Sequence, residues 1–242
     1  GHARAILDRL GKEGLLIGFD RDPLAIERAQ EWLPDHATIV AANYADIPEY
    51  LNQLNLEKVD GILMDLGLSS DQLAAVDRGF SFNSDGVLDL RFNPNAGEPA
   101  WRILNRLGEK HLADLIYEFG EEKMSRRIAR KICQIRHDEP IKTASQLARL
   151  VRSCVPRQRK STIDPATRTF QALRIAVNEE LKWLKVAMGR LPRILNAGGR
   201  MVVISFHSLE DRIVKTSFAS EERLRVVTKR PLTGSEQEVA DN

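Results

Sequence analysis

Val59-Asp60-Gly61-Ile62-Leu63-Met64-Asp65-Leu66-Gly67-Leu68-Ser69-Ser70 joins an apolar run to a small polar turn, and that junction decides the fold. Residues 59–66 predict a buried strand with Asp65 near its carboxyl end, since a short apolar run bounded by turn residues suits a covered strand. A glycine and two serines after it make a tight polar turn. Such a turn can bring carbonyls, hydroxyls and a carboxylate to one spot; the competing reading is a capping loop before Asp71-Gln72-Leu73. Upstream, residues 15–19 predict a strand closing on Asp20, 23–33 a helix opened by Pro23, 38–41 a second strand and 47–54 a short helix. Downstream, 200–206 predict a fourth strand after an Asn196-Ala197-Gly198-Gly199 turn. Apolar strands alternating with helices indicate an α/β fold, a parallel sheet covered on both faces.

Between the third and fourth strands the strand signal disappears. Helices are predicted over 101–107, 110–119, 121–135 and 143–155, the last opening on the capping-box spacing Thr143-x-x-Gln146. In 121–135, Met124, Ile128 and Ile132 fall on one stripe, while Arg126/Arg130 and Arg127/Lys131 form two i,i+4 rows elsewhere. A long helix over 165–191 is predicted from Phe170, Leu173, Val177, Leu181, Leu184 and Met188, stepping by three or four. A helical segment interrupting an α/β pattern reads as an inserted domain. Trp32, Trp101 and Trp183 lie in helical patterns and are expected in the core.

The 242 residues, 43% hydrophobic and 29% charged, exclude a disordered chain and suffice for a core without disulfides or a structural metal. No uncharged run is long enough to span a bilayer. Cys133 and Cys154 form no C-x-x-C pair, which argues against a disulfide framework or zinc and for a reducing, cytoplasmic setting. The net charge of +2 hides a concentrated block: residues 121–160 hold 12 Lys/Arg against 4 Asp/Glu, whereas 1–60 hold 6 against 11. One basic block in a near-neutral chain points to an anionic partner, against the plainer reading of a solvated helix face.

Open parallel sheets bind ligands outside the carboxyl ends of their strands. Asp20 stands at such an end and can accept both hydroxyls of a ribose, while Asp22 reads as the cap of the next helix. Tyr44, after the second strand, offers a ring where an adenine would lie, or a plain rim tyrosine. Phe80 and Phe82, in a loop-like stretch, either cover a ligand or plug the sheet end. His207, after the fourth strand, either orients a substrate or satisfies a backbone group. No Ser-His-Asp set and no metal cluster has credible spacing.

Five strings, in order along the chain, resemble the bacterial 16S rRNA cytosine-N4 methyltransferases, the ribosomal small-subunit methyltransferase H family. They are Phe19-Asp20-Arg21-Asp22-Pro23, Gly61 through Ser70, Arg78-Gly79-Phe80-Ser81-Phe82, Pro165 through Ile175, and Ile204 through Arg212. The resemblance covers nearly the whole chain. It implies a Rossmann-like S-adenosylmethionine methyltransferase domain over 1–92 and 165–242, with an inserted all-helical substrate-recognition domain over 93–164. It also implies cofactor contacts at Gly1, His2, Asp20, Tyr44, Asp65 and Gln72. In the family a first strand and glycine-rich loop precede the Gly-His pair, and members continue into a further strand beyond 238–242.

The implied reaction methylates the exocyclic amine of a cytidine in the decoding centre of 16S rRNA, within the small ribosomal subunit. Asp65, Ser69 and Ser70 are expected to offer acceptors to that amine, with His207 as a further catalytic candidate. Arg126, Arg127, Arg130, Lys131 and Arg168 are expected on the RNA phosphates beside a flipped-out base. Neither metal nor membrane is expected, and the chain is expected to act as a monomer or homodimer. Two alternatives stay open: a nicotinamide-dependent oxidoreductase, for which G-x-G-x-x-G is missing, and a non-catalytic RNA-binding protein with a degenerate cofactor domain.

Overall fold

Every strand runs parallel to its neighbour, so each connection must cross over, and helices supply the crossovers. The computed structural model describes residues 1–11, 13–155, 163–228 and 230–234. Part of the basic block, 156–160, and the 238–242 segment lie outside the described residues. In chain order the elements are α1 His2–Leu10, β1 Leu16–Asp20, α2 Pro23–Gln30, β2 Ala37–Ala41, α3 Ile47–Gln53, β3 Val59–Asp65 and α4 Ser70–Ala74. Then come α5 Ala100–Arg106, α6 Glu109–Gly120, α7 Ser125–Asp138, α8 Ala144–Cys154, α9 Thr167–Asn178, α10 Glu180–Arg190, β4 Leu195–Ile204 and α11 Ser208–Ser220.

The strands form two ladders. β1 pairs β2 from Leu16↔Ala37 to Asp20↔Ala41, and β3 pairs β4 up to Asp65↔Ile204. One sheet covered on both faces was expected; the described residues form two ladders, with α10 and α11 packed on one face of β3–β4 and α1 lying beside Leu63 on the other. Ile62 and Met64 pack on Leu184, Ala187 and Met188 of α10 and Val214 of α11. The facing pair Leu63 and Val202 stays 37% and 51% exposed.

Four further expectations are corrected. The 196–199 turn does not precede β4 but bulges from it, the register passing from Val59↔Leu195 to Gly61↔Arg200. The 165–191 helix is broken where Glu179 turns left-handed at φ 52°. There the buried Asn178 amide donates to Leu90 O (2.7 Å) and accepts from Phe92 N (2.8 Å), tying the helix end to the 90–92 loop. The 121–135 helix begins at Ser125, because the Glu122 carboxylate takes the Met124 N–H at 2.7 Å and leaves Met124 outside the first turn. The three tryptophans are half-buried rather than core, each under a cation from Arg4, Arg102 or Lys182.

Helices α5 to α9 share a second apolar cluster, centred on Leu104, Leu112, Ile116, Ile128, Ile132, Leu147 and Leu173. Phe80, Leu88 and Leu90 join it from before α5. α6 and α9 approach so closely that a Cβ on Gly120 would run into the Arg168 carbonyl oxygen. The Thr143 capping box forms as the spacing predicts.

Candidate functional site

The first strand end is organised by two aspartates with different tasks. Asp20 Oδ1 accepts the Asp22 N–H at 2.8 Å. Burial pushes the half-buried Asp20 carboxyl above its ordinary range, and the nearby Asp22 charge adds to this, while the backbone N–H of Asp22 opposes it. Asp22 caps α2 by accepting from Leu24 N at 3.2 Å. Its carboxylate also takes Gln72 Nε2 at 2.8 Å and Arg78 Nη1 at 3.1 Å, all three side chains being buried. Arg78 in turn donates to the carbonyls of Arg91 (2.8 Å) and Phe92 (3.0 Å).

The third strand end is reached through Gln72. Ser69 caps α4, its hydroxyl accepting from Gln72 N (3.1 Å) while Gln72 Oε1 accepts from Ser69 N (3.0 Å), a reciprocal capping box. Both halves of the Gln72 amide are therefore engaged, a bracing duty the sequence reading did not foresee. Ser69 and Ser70 are exposed. Asp65, at the β3 tip, lies 3.2 Å from the Nδ1 of His2, and Gly1 forms the N-cap of α1 beside it. Gly67 holds φ +88°, and a Cβ there would touch the Phe206 ring and the Arg174 guanidinium. Arg28 of α2 and Asp71 of α4 pair across the same two strand ends.

Tyr44 opens a single helical turn after β2 and packs against the β3–α10 cluster. Burial and the facing carboxylates of Glu180 and Glu210 push its hydroxyl far above the usual tyrosine range. Glu180 is a buried carboxylate held bidentately by Arg174, Nε at 2.8 Å and Nη2 at 3.0 Å. Its burial raises the carboxyl pKa more than Arg174 lowers it. Burial also acts to raise Glu210, but His207, the Phe206 N–H and Arg174 outweigh it and hold that carboxyl below its ordinary value.

His207 caps α11: its Nδ1 accepts the Glu210 N–H at 3.4 Å, which leaves the proton on Nε2. Nε2 lies 3.2 Å from Glu210 Oε1. The histidine thus satisfies a backbone group, one of its two sequence readings.

The basic residues lie on α7 and α9. α7 packs on α5, α6 and α8. Its Arg126, Arg127, Arg130 and Lys131 are all exposed, and only Arg130, with Glu109 at 3.4 Å, has an ion pair among the described residues. Arg168, on α9, donates to the Glu121 carbonyl at 3.2 Å. The Glu121 side chain reaches Ser208 (2.5 Å) and Arg212 (3.3 Å), joining the end of α6 to the start of α11. Phe80 and Phe82 pack in the helical cluster rather than at the sheet end: Phe80 stacks on Phe92 at 6.2 Å, and Phe82 meets Phe170 edge-on at 4.9 Å. Among the described residues no three His, Cys, Asp or Glu side chains converge as a metal site requires.

The sequence profile of the MraW methylase family matches residues 1–242. The chain belongs to the MraW methylase family. It is similar along its whole length to proteins named ribosomal RNA small subunit methyltransferase H. The one from Rhodopirellula baltica is 45% identical, with 78% of that protein covered. The one from Acidobacterium capsulatum is 46% identical, with 84% covered. In Nitrosospira multiformis the relative is 47% identical over 89% of this chain and 68% of its own length.

In this MraW methylase, sequence reading missed the residues beneath the strand ends: Arg174, Asn178, Glu180 and Glu210. A charged residue in a helical pattern reads as solvent-facing, and only the break at Glu179 turns Glu180 inward. The apolar stripe runs unbroken from Val177 to Leu181, so the sequence carried no signal of the break.

Proposed function

We propose that this chain transfers a methyl group from S-adenosylmethionine to the N4 amine of a decoding-centre cytidine in 16S rRNA. The observation that supports the reading is the hydrogen bond between Gln72 Nε2 and the Asp22 carboxylate, which ties the loop after β1 to the helix after β3, so that the strand ends at Asp20 and Asp65 are read as one rim. The relatives' name, ribosomal RNA small subunit methyltransferase H, supports the substrate class.

The residues at the rim suit a sulfonium nucleoside. Asp20 is a desolvated carboxylate with no cationic partner among the described residues, so it gains from two ribose hydroxyl donors. Tyr44 supplies an aromatic body for the adenine, while Gly1, His2 and Gln72 line the approach to Asp65. The cofactor supplies an electrophilic methyl carbon, so the protein's contribution is alignment. A cytosine amine is a weak nucleophile because its lone pair is delocalised into the ring. Carboxylate and hydroxyl acceptors from Asp65, Ser69 and Ser70 against its N–H groups favour the reacting, pyramidal nitrogen and take up the departing proton. His207 fixes the start of α11 and so positions the β4 end.

A duplex or stacked base must be extruded to reach such a rim. The helices from 93 to 164 form the substrate-recognition part, with Arg126, Arg127, Arg130 and Lys131 on its basic helix and Arg168 nearby on the flanking phosphates.

The test is nucleoside mass spectrometry of small-subunit particles incubated with the chain and isotopically labelled S-adenosylmethionine. Labelled N4-methylcytidine is expected with the wild type and its loss with Asp65→Ala. Label on a different base, or full turnover by Asp65→Ala, overturns the reading.

A further inference from the structure

Phe206 lies two residues past the end of β4 and is 66% exposed, whereas Phe80 and Phe170 are 5% and 4% exposed in the core. An exposed phenylalanine ring forfeits its hydrophobic stabilisation, yet this one is held in place. Its N–H donates to Glu210 Oε2 at 2.9 Å, and Glu210 is itself only 2% exposed and fixed by His207. The β3 and β4 ends are locked together by Leu66 N donating to Ile204 O at 3.1 Å. The ring therefore stands against the Asp65–Ser70 turn. A Cβ on Gly67 would come to 3.4 Å from Phe206 Cδ2, ordinary contact distance, so the ring edge lies beside this left-handed glycine of the turn.

We propose that the Phe206 ring is the stacking face on which the extruded pyrimidine rests, a role that rests on the methylation reading above. A π-face accepts any base, so Phe206 supplies affinity and orientation, and the turn acceptors supply the choice of amine. The loop aromatics Phe80 and Phe82 cannot serve, since both rings are packed in the helical core.

The test is equilibrium binding of two decoding-centre rRNA fragments, one with the target cytidine and one abasic there, alongside turnover of the cytidine fragment. The wild type should prefer the cytidine fragment by roughly 5- to 150-fold, the range a single stacked base supplies. Phe206→Ala and Phe206→Leu should erase that preference, with S-adenosylmethionine affinity and melting temperature unchanged. Phe206→Tyr and Phe206→Trp should keep it, and the added indole of F206W should quench with the cytidine fragment alone.

Retained preference in Phe206→Leu shows that bulk suffices and overturns the proposal, as does equal binding of both fragments by the wild type. Parallel loss of stability and cofactor affinity in Phe206→Ala assigns the ring to packing and overturns it too. A wild type that discriminates the fragments without methylating N4 overturns the methylation reading and leaves the platform standing.

Discussion

Gln72 donates from Nε2 to the Asp22 carboxylate at 2.8 Å, joining the helix that follows β3 to the loop that follows β1. Among the described residues the β1–β2 and β3–β4 ladders share no strand pairing, and this buried contact, with the Arg28–Asp71 pair outside it, ties the two strand ends. Asp22 is 2% exposed, and an acceptor there that loses a donor cannot turn to water. Gln72→Leu is expected to cost about 1–3 kcal/mol in urea unfolding and to weaken cofactor binding in calorimetry. Arg78→Met, which strips the buried carboxylate of its cation, should cost more, about 3–5 kcal/mol. Equal stability of Gln72→Leu and wild type would show that the strand ends are aligned by other contacts.

Asp20 separates stability from function. Its folded pKa lies above the ordinary 3.8, chiefly through burial, so the charged form is penalised in the fold. That penalty is fully present above the folded pKa and vanishes as pH falls below the unfolded value. Asp20→Asn keeps the acceptor for the Asp22 N–H and removes the charge. The variant should melt at the same or a higher temperature at neutral pH, yet bind S-adenosylmethionine more weakly. Wild-type cofactor affinity should fall as pH drops through the raised Asp20 pKa, since ribose hydroxyls donate to the ionised form. An affinity flat with pH across that range, or unchanged in Asp20→Asn, would detach Asp20 from the ribose.

Strand identity was legible in the sequence because each apolar run ends on an acid or a turn, as in 59–66 and 15–20. The separation into two ladders was not, since hydrophobic runs fix which segments are strands and say nothing of which edges meet. The bulge at 196–199 was read as a turn for a related reason: Gly198 at φ 83° marks a left-handed residue, and a bulge and a turn use it alike. At the site, Asp20, Asp65 and the Asp22 cap were visible as single residues at strand ends. The Arg174–Glu180 pair was hidden, because its burial depends on the helix break at Glu179, imposed by the Asn178 side chain through contacts with residues 90 and 92.

Gly120 tests how the helical part is seated. The Arg168 carbonyl oxygen occupies the space a Cβ would need there, and Arg168 also anchors the Glu121 carbonyl from the same helix. Gly120→Ala must push α6 off α9, and overpacking of this kind costs roughly 1–3 kcal/mol. A lower urea midpoint with unchanged cofactor affinity is expected, because the hydrogen bonds of Asp20 and Gln72 are made by residues outside α6 and α9. RNA affinity should drop with it, the basic helix α7 being packed on α6. An unshifted midpoint would show that α6 and α9 part without cost.

The exposed cations of α7 predict an electrostatic signature rather than a single essential residue. Arg126, Arg127 and Lys131 have no ion pair among the described residues, while Arg130 spends part of its charge on Glu109 at 3.4 Å. Each phosphate they neutralise releases counterions, and for single-stranded RNA the slope of log affinity against log salt changes by about 0.7 per contact. Arg126→Gln, Arg127→Gln and Lys131→Gln together should flatten that slope by roughly 2, with stability within about 0.5 kcal/mol of wild type because the side chains are solvated. Arg130→Gln alone should flatten it less than Arg126→Gln, since part of the Arg130 charge is already spent on Glu109. Cofactor affinity should be unchanged in all of them, as none lies near Asp20 or Asp65. A triple variant whose slope matches the wild type would move the phosphate contacts to another surface and return α7 to the role of a solvated helix face.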